Sequence, residues 1–189
     1  MEKTLILFDF DHTLYTKDSL LEVTKYIVGN TKFYMGIAVL SPCLIAMKLG
    51  LADNAKTKQR YLRYFFKGTD YEYFKKAANT FSLNRIDKDL NLTLKTALYQ
   101  HLNNNNDVYI VTASFTEWLA PWCAKNSIGL ISSKLEIMDG IVTGNISGLN
   151  CYGPEKVVRI LNVIDTNIYD AIHVYGKGKG DKEMLALKR

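Results

Sequence analysis

The sequence predicts an α/β protein: a Rossmann-like open parallel sheet with a helical cap inserted after its first strand and a small β-hairpin. Thr4 to Phe8 (TLILF), Asp107 to Ala113 (DVYIVTA) and Ala171 to Tyr175 (AIHVY) are short apolar runs. Such runs fit central strands of a parallel sheet, covered on both faces. Helical patterns lie between them, and that alternation implies right-handed crossovers. Between Lys17 and Asp89 the rhythm breaks, with many aromatic and basic residues and no convincing strand.

The elements follow in order. Asp9 closes the first run. The segment 17–89 is then a helical cap, and the core is discontinuous, residues 1–16 and 90–189. Inside the cap, Tyr61, Leu62, Phe65 and Phe66 have helix-compatible spacing. Met35 to Met47 (MGIAVLSPCLIAM) is almost free of charge, but its roughly 13 residues fall short of the roughly 20 that a spanning helix needs. Pro42 interrupts it and Lys48 ends it. A buried helix or helical hairpin is expected there, and membrane contact is not. Ile86, Leu90, Leu94, Ala97, Leu98 and Leu102 recur at helical spacing before a turn at Asn103–Asn106. Ser114 opens the next helix, with Glu117 completing a capping box. Gly129 to Ser132 (GLIS) is a further strand, and KLEIMDGIVTGNIS reads as a hairpin around Asp139-Gly140. Pro154 suits the first turn of a helix that carries Val157, Val158 and Leu161 inward.

The 189 residues can hold one ordinary domain with a modest insert, and their formal charge of +5 suits an anionic ligand. There is no Arg-rich arm and no zinc-finger spacing, so nucleic acid is not an expected partner. Three scattered cysteines, Cys43, Cys123 and Cys151, make neither a disulfide framework nor a metal cluster. The N-terminal apolar run is too short for a signal peptide, and the cytoplasm is the expected location. No feature speaks to the oligomeric state.

Ligands of open α/β sheets sit beyond the carboxyl ends of the strands. Asp9, Asp11, Thr112 and the Lys177 region all fall there, and Lys156 in the first turn of a helix could reach the same crevice. A phosphate monoester explains such a gathering. One carboxylate can attack phosphorus and form an aspartyl-phosphate, and a second can protonate the leaving alkoxide and then deprotonate water. A lysine and a hydroxyl would hold the non-bridging oxygens. Magnesium would let a carboxylate approach an anionic phosphate.

DFDHTL at Asp9–Leu14, IVTAS at Ile110–Ser114, CYGPEK at Cys151–Lys156 and HVYGKGKGDKEML at His173–Leu185 follow one another in order. They resemble the four motifs of the haloacid-dehalogenase superfamily, in its phosphoserine-phosphatase-like branch. The resemblance implies a phosphatase acting on a small phosphorylated metabolite. Asp9 would be the nucleophile and a metal ligand. Asp11 would be the general acid/base and give its backbone carbonyl to the metal. Thr112 and Lys156 would hold the phosphate, Thr13 would brace the loop, and His12 takes a place where the family often has Gly. Asp18 follows Asp9 by the interval at which phosphoserine phosphatases place an acid for the substrate's amino group. Arg60 could pair with a substrate carboxylate, although Lys56, Lys58, Arg60 and Arg63 together read as a solvated helix face.

The chain departs from the fourth motif, where Lys177 stands in place of a metal-binding acid. Three readings stay open. Asp181 carries magnesium beside Asp9 with Lys177 swung outward; or the Lys177 ammonium takes the cation's place; or the site binds phosphate without turnover, as a pseudophosphatase. A membrane-associated protein anchored by its cap is a further reading, resting on the apolar stretch.

Overall fold

The computed structural model describes residues 3–189. Strand β1 (Thr4–Phe8) is one of the two inner strands of a four-stranded parallel sheet in the order β3-β2-β1-β6, with β2 at Asp107–Phe115, β3 at Gly129–Ser133 and β6 at Ala171–Tyr175. Leu5 and Leu7 join one buried cluster, and Ile6 and Phe8 another. Successive strand side chains point to opposite faces, so a continuous apolar run suits a sheet covered on both sides. Chain order reverses between β1 and β6, and a ligand crevice belongs at such a switch point. A separate hairpin pairs β4 (Leu135–Met138) with β5 (Ile141–Ile146). Asp139 at φ 50° and Gly140 at φ 75° make its tight turn, as the Asp-Gly pair predicts.

Between β1 and β2 the chain is helical: α1 (Ser19–Val28), α2 (Asn30–Lys48), α3 (Asn54–Phe66) and α4 (Tyr71–Arg85). Helix α3 packs on β5, and α4 on α6 (Thr116–Lys125). Two glycines allow close approach. A Cβ at Gly144 would stand 2.6 Å from the Arg63 Cα, and one at Gly36 would stand 2.3 Å from the Phe65 ring.

Several expected elements are corrected. The apolar stretch from Met35 is neither buried throughout nor a hairpin. One helix runs through Pro42, and Ser41 Oγ donates to the Ala38 carbonyl at 2.8 Å. That hydroxyl satisfies the acceptor that proline leaves without a helical N–H. The helical pattern starting at Ile86 begins as a short 3-10 turn, and α5 (Leu92–Asn103) starts only after Asn91, whose side chain caps it. Strand β2 runs past Ala113 to Phe115, so Ser114 caps no helix. The carboxylate of Glu117 accepts from the Leu135 N–H instead. In α7 (Pro154–Val163) the inward positions are Lys156 and Ile160, whereas Val158 and Leu161 are half exposed. A buried lysine thus sets the rotation of that helix, and Val157 is only partly covered.

Candidate active site

The site is built at the carboxyl ends of β1, β2 and β6. Phe8 pairs with Ile110 on one side and Tyr175 on the other, which brings the residues beyond those positions together. The Asp9 N–H donates to the Tyr175 carbonyl at 2.8 Å, fixing the start of the loop. The turn tightens through Thr13 and Tyr15, whose N–H groups both donate to the Phe10 carbonyl. His12 is exposed and left-handed at φ 59°, which explains why glycine suits that position. Among the described residues the Thr13 hydroxyl has no hydrogen-bond partner, although it is buried.

Lys156 is 2% exposed, and its ammonium sits between two carboxylates, 2.8 Å from Asp9 Oδ1 and 2.6 Å from Asp181 Oδ1. Burial works against that positive charge, but Asp9 and Asp181 outweigh it and hold the ammonium above its usual range. Burial pushes the Asp9 carboxyl up, against the neighbouring ammonium. The short contacts make the ion pair the operative state. Gly153, at φ 60°, caps α7, and its N–H donates to the Gly180 carbonyl, tying the Lys156 and Asp181 loops together.

Asp11 lies across the turn. Its Oδ1 accepts the Ser19 N–H at 2.7 Å, and its Oδ2 accepts the Ser114 hydroxyl. Ser114 Oγ lies 2.7 Å from Ser19 Oγ, which accepts the Trp118 indole N–H at 3.0 Å. With Ser114 donating to Asp11, the chain runs from Trp118 through Ser19 and Ser114 to the carboxylate. Burial, then the charge of Asp18, pushes the Asp11 carboxyl up to about 6 in spite of these bonds. The sequence points to Thr112 as the phosphate-holding hydroxyl and to Ser114 as a helix cap. In the structure Thr112 Oγ1 is buried and accepts the Ser114 N–H at 3.0 Å, while Ser114 itself faces the carboxylate.

Lys58 on α3 completes the cluster. Its ammonium donates to the Ala113 carbonyl at 2.9 Å and to Asn150 Oδ1 at 3.3 Å, and stands over the Phe115 ring. Burial pulls its pKa down, and the charges of Asp11 and Asp18 oppose that fall. The run of basic residues hid it, but Lys58, Tyr61, Leu62 and Phe65 follow the i, i+3, i+4, i+7 spacing of one helix face, and the last three are buried. Arg60, the residue singled out from the run, is exposed and its guanidinium rests against Cys43 Sγ, away from the carboxylates. Asp18 caps α1 by accepting the Leu21 N–H at 3.1 Å and remains beside Asp11.

The residues present do not fit a resident magnesium ion. Lys177 is exposed, and what it gives Asp181 is a backbone N–H. Asp181 Oδ2 accepts the N–H groups of Lys177 and Gly178, at 3.2 and 2.8 Å, and its Oδ1 holds Lys156. Asp181 is therefore saturated on one oxygen and paired on the other. Among the described residues, no group of three or more His, Cys, Asp or Glu side chains could hold a metal ion. The first reading requires Lys177 outward and Asp181 free for a metal; Lys177 is exposed, but Asp181 is committed to Lys156 and two backbone N–H groups.

Residues 6–186 match the model of a family described as haloacid dehalogenase-like hydrolase. Protein CicA of Caulobacter vibrioides is 30% identical over 190 residues, covering 98% of this chain and 83% of that protein. A protein of unknown function from Bordetella pertussis Tohama I superposes with a TM-score of 0.81 at 20% identity, over 100% of this chain and 88% of its own. A phospho-aspartyl intermediate analogue of phosphoserine phosphatase superposes with a TM-score of 0.68 at 18% identity, over 100% and 84%.

Proposed function

Because this chain belongs to the haloacid dehalogenase-like hydrolases, we propose that it is a phosphomonoester hydrolase working through an aspartyl-phosphate on a small phosphorylated metabolite. One observation carries the reading: the Lys156 ammonium pairs with Asp9 and Asp181, beside a second carboxyl, Asp11, whose pKa of about 6 suits proton transfer near neutrality. Asp9 Oδ2 attacks phosphorus as the ester P–O bond breaks. Asp11 gives its proton to the departing alkoxide. Water then attacks the acyl phosphate and gives a proton to Asp11, and inorganic phosphate leaves with Asp9 restored. Lys156 keeps Asp9 oriented throughout, and Lys58 offsets charge on the phosphoryl oxygens. Thr112 and Ser114 supply the polar wall opposite. The helical segment 17–89 acts as the cap, closing the site through Lys58 and, beside Asp11, Asp18.

A phosphate-binding protein without turnover is the second reading, favoured by Lys177 and by the commitment of Asp181 to Lys156 and two backbone N–H groups. Hydrolysis of an aryl phosphate by wild type and Lys177→Asp, each with magnesium and with chelator, separates the two. An acid at that position restores a hard oxygen ligand, and we expect magnesium-stimulated turnover to rise at least about tenfold. Wild-type turnover above that of a blank without protein supports the enzyme. Turnover in Lys177→Asp alone would leave the natural chain a binder.

Lys58→Met tests the contribution of the cap. Since burial disfavours this charge, the variant should melt at or above the wild-type temperature, while KM for a phosphate ester rises about tenfold. An unchanged KM, or a clear loss of stability, would make Lys58 a structural tie between α3 and Ala113.

A further inference from the structure

The outer face of α2 is apolar and uncovered. Tyr34, Met35, Val39, Ile45 and Leu49 are between 57% and 68% exposed, and Leu51 just beyond the helix is 79% exposed. Met35, Ala38, Pro42, Ile45 and Leu49 recur at spacings of three and four, so they form one stripe. The opposite side of α2 is already occupied: Phe33 stacks on Phe65, and Gly36 and Leu40 are buried. A helix apolar on both sides needs a second apolar surface.

The surroundings of that stripe are basic. No acid occurs between Glu22 and Asp53, while Lys25, Lys32 and Lys48 do. Beside the helix runs a groove of about 730 Å³ with Pro42, Cys43 and Ala46 on one wall and Lys56, Arg60 and Arg63 on the other. Asp53 also lines it, but its carboxylate caps α3 by accepting the Lys56 N–H at 2.7 Å. Lys56, Arg60 and Arg63 are all exposed, with Arg63 bonded to Asn145 and Arg60 to Cys43 Sγ. On α3 these basic residues lie on the side opposite Lys58, so the groove is separate from the carboxylate site.

We propose that this face docks the protein on an anionic phospholipid bilayer, with α2 lying flat in the headgroup region and Lys32, Lys48, Lys56 and Arg60 meeting lipid phosphates. Aliphatic side chains rimmed by cations are the pattern of an interfacial helix. A helix of 19 residues lies about 28 Å along the surface. Among the described residues, no helix is long and apolar enough to cross the membrane. A second copy is a poorer occupant, because stacking two such faces brings basic rim against basic rim with no free acid between them.

Flotation of the full chain with vesicles tests this without any substrate, so its failure is distinct from failure of the phosphatase reading. Wild type should float with phosphatidylcholine vesicles containing phosphatidylglycerol, and not with phosphatidylcholine alone or at high salt. Val39→Asp and Lys48→Glu should each lower the bound fraction about fivefold or more, with unchanged circular dichroism and elution volume. No flotation of the wild type, or equal flotation of Val39→Asp, overturns the proposal. So does a wild-type dimer that Val39→Asp splits and that never floats, which would assign the face to self-association.

Discussion

Asp9→Asn should lower turnover of a phosphate ester at least about a thousandfold, the scale seen when a covalent nucleophile is removed. The amide is isosteric and can still accept the Lys156 proton at the Oδ1 position, so the geometry of the site survives. What disappears is the anionic oxygen that attacks phosphorus. The stability effect should run the other way. Burial disfavours the Asp9 charge, and Lys156 keeps its shorter contact with Asp181, so the variant should melt at or above the wild-type temperature. Acid-quenched enzyme should carry covalent phosphate from labelled substrate in the wild type and none in Asp9→Asn. Retention of turnover within about tenfold, or labelling of the variant, would move the nucleophile elsewhere.

The parts of this site that were legible in the sequence are those fixed by strand ends. β1 and β6 have the bounds that their apolar runs predict; in β1, an inner strand, Leu5 to Phe8 are fully buried and the first acid comes where the chain leaves the sheet, while β6 at the edge tolerates an exposed His173. Asp9, Thr112 and the loop holding Asp181 then follow from topology alone. Lys156 was legible only through its motif. A lysine in a first helical turn is ordinarily solvated, and its burial rotates α7 so that Val158 and Leu161 face outward. Lys58 escaped because neighbouring charges on α3 read as one exposed face, although its place on the buried stripe was there to find. Ser114 escaped because a Ser three residues before a Glu is a good capping box. Local preference lost to the register of β2, which carries the strand on to Phe115 and turns the hydroxyl toward Asp11. The exposure of α2 was hidden for another reason: hydropathy marks which side chains avoid water, not whether this chain supplies the surface that covers them.

Lys156→Met carries the largest expected effect on the fold. Methionine replaces the apolar stem at similar length, so the change isolates the ammonium. Its loss leaves Asp9 and Asp181 facing one another where both are nearly buried. Removing one partner of a buried ion pair costs about 3–5 kcal/mol, because the remaining charge is uncompensated. For a chain of this size that lowers the melting temperature by roughly 6–20 °C. The pH dependence identifies the cause. In the variant the Asp9 carboxyl, pushed up by burial, loses the ammonium that opposed that rise, so its folded-state pKa stands above the unfolded value of about 4. A raised pKa costs nothing below the unfolded value, and its cost grows as pH climbs through the folded one. The penalty should therefore be small near pH 4 and full by about pH 8, the opposite of a packing defect, which pH would not change. Adding Asp181→Asn to Lys156→Met removes one of the stranded charges and should restore part of the stability, which a double-mutant cycle measures. Should the single variant melt with the wild type at pH 8, the two carboxylates do not depend on the ammonium between them, and the orientation of Asp9 must come from the Tyr175 carbonyl and the loop alone.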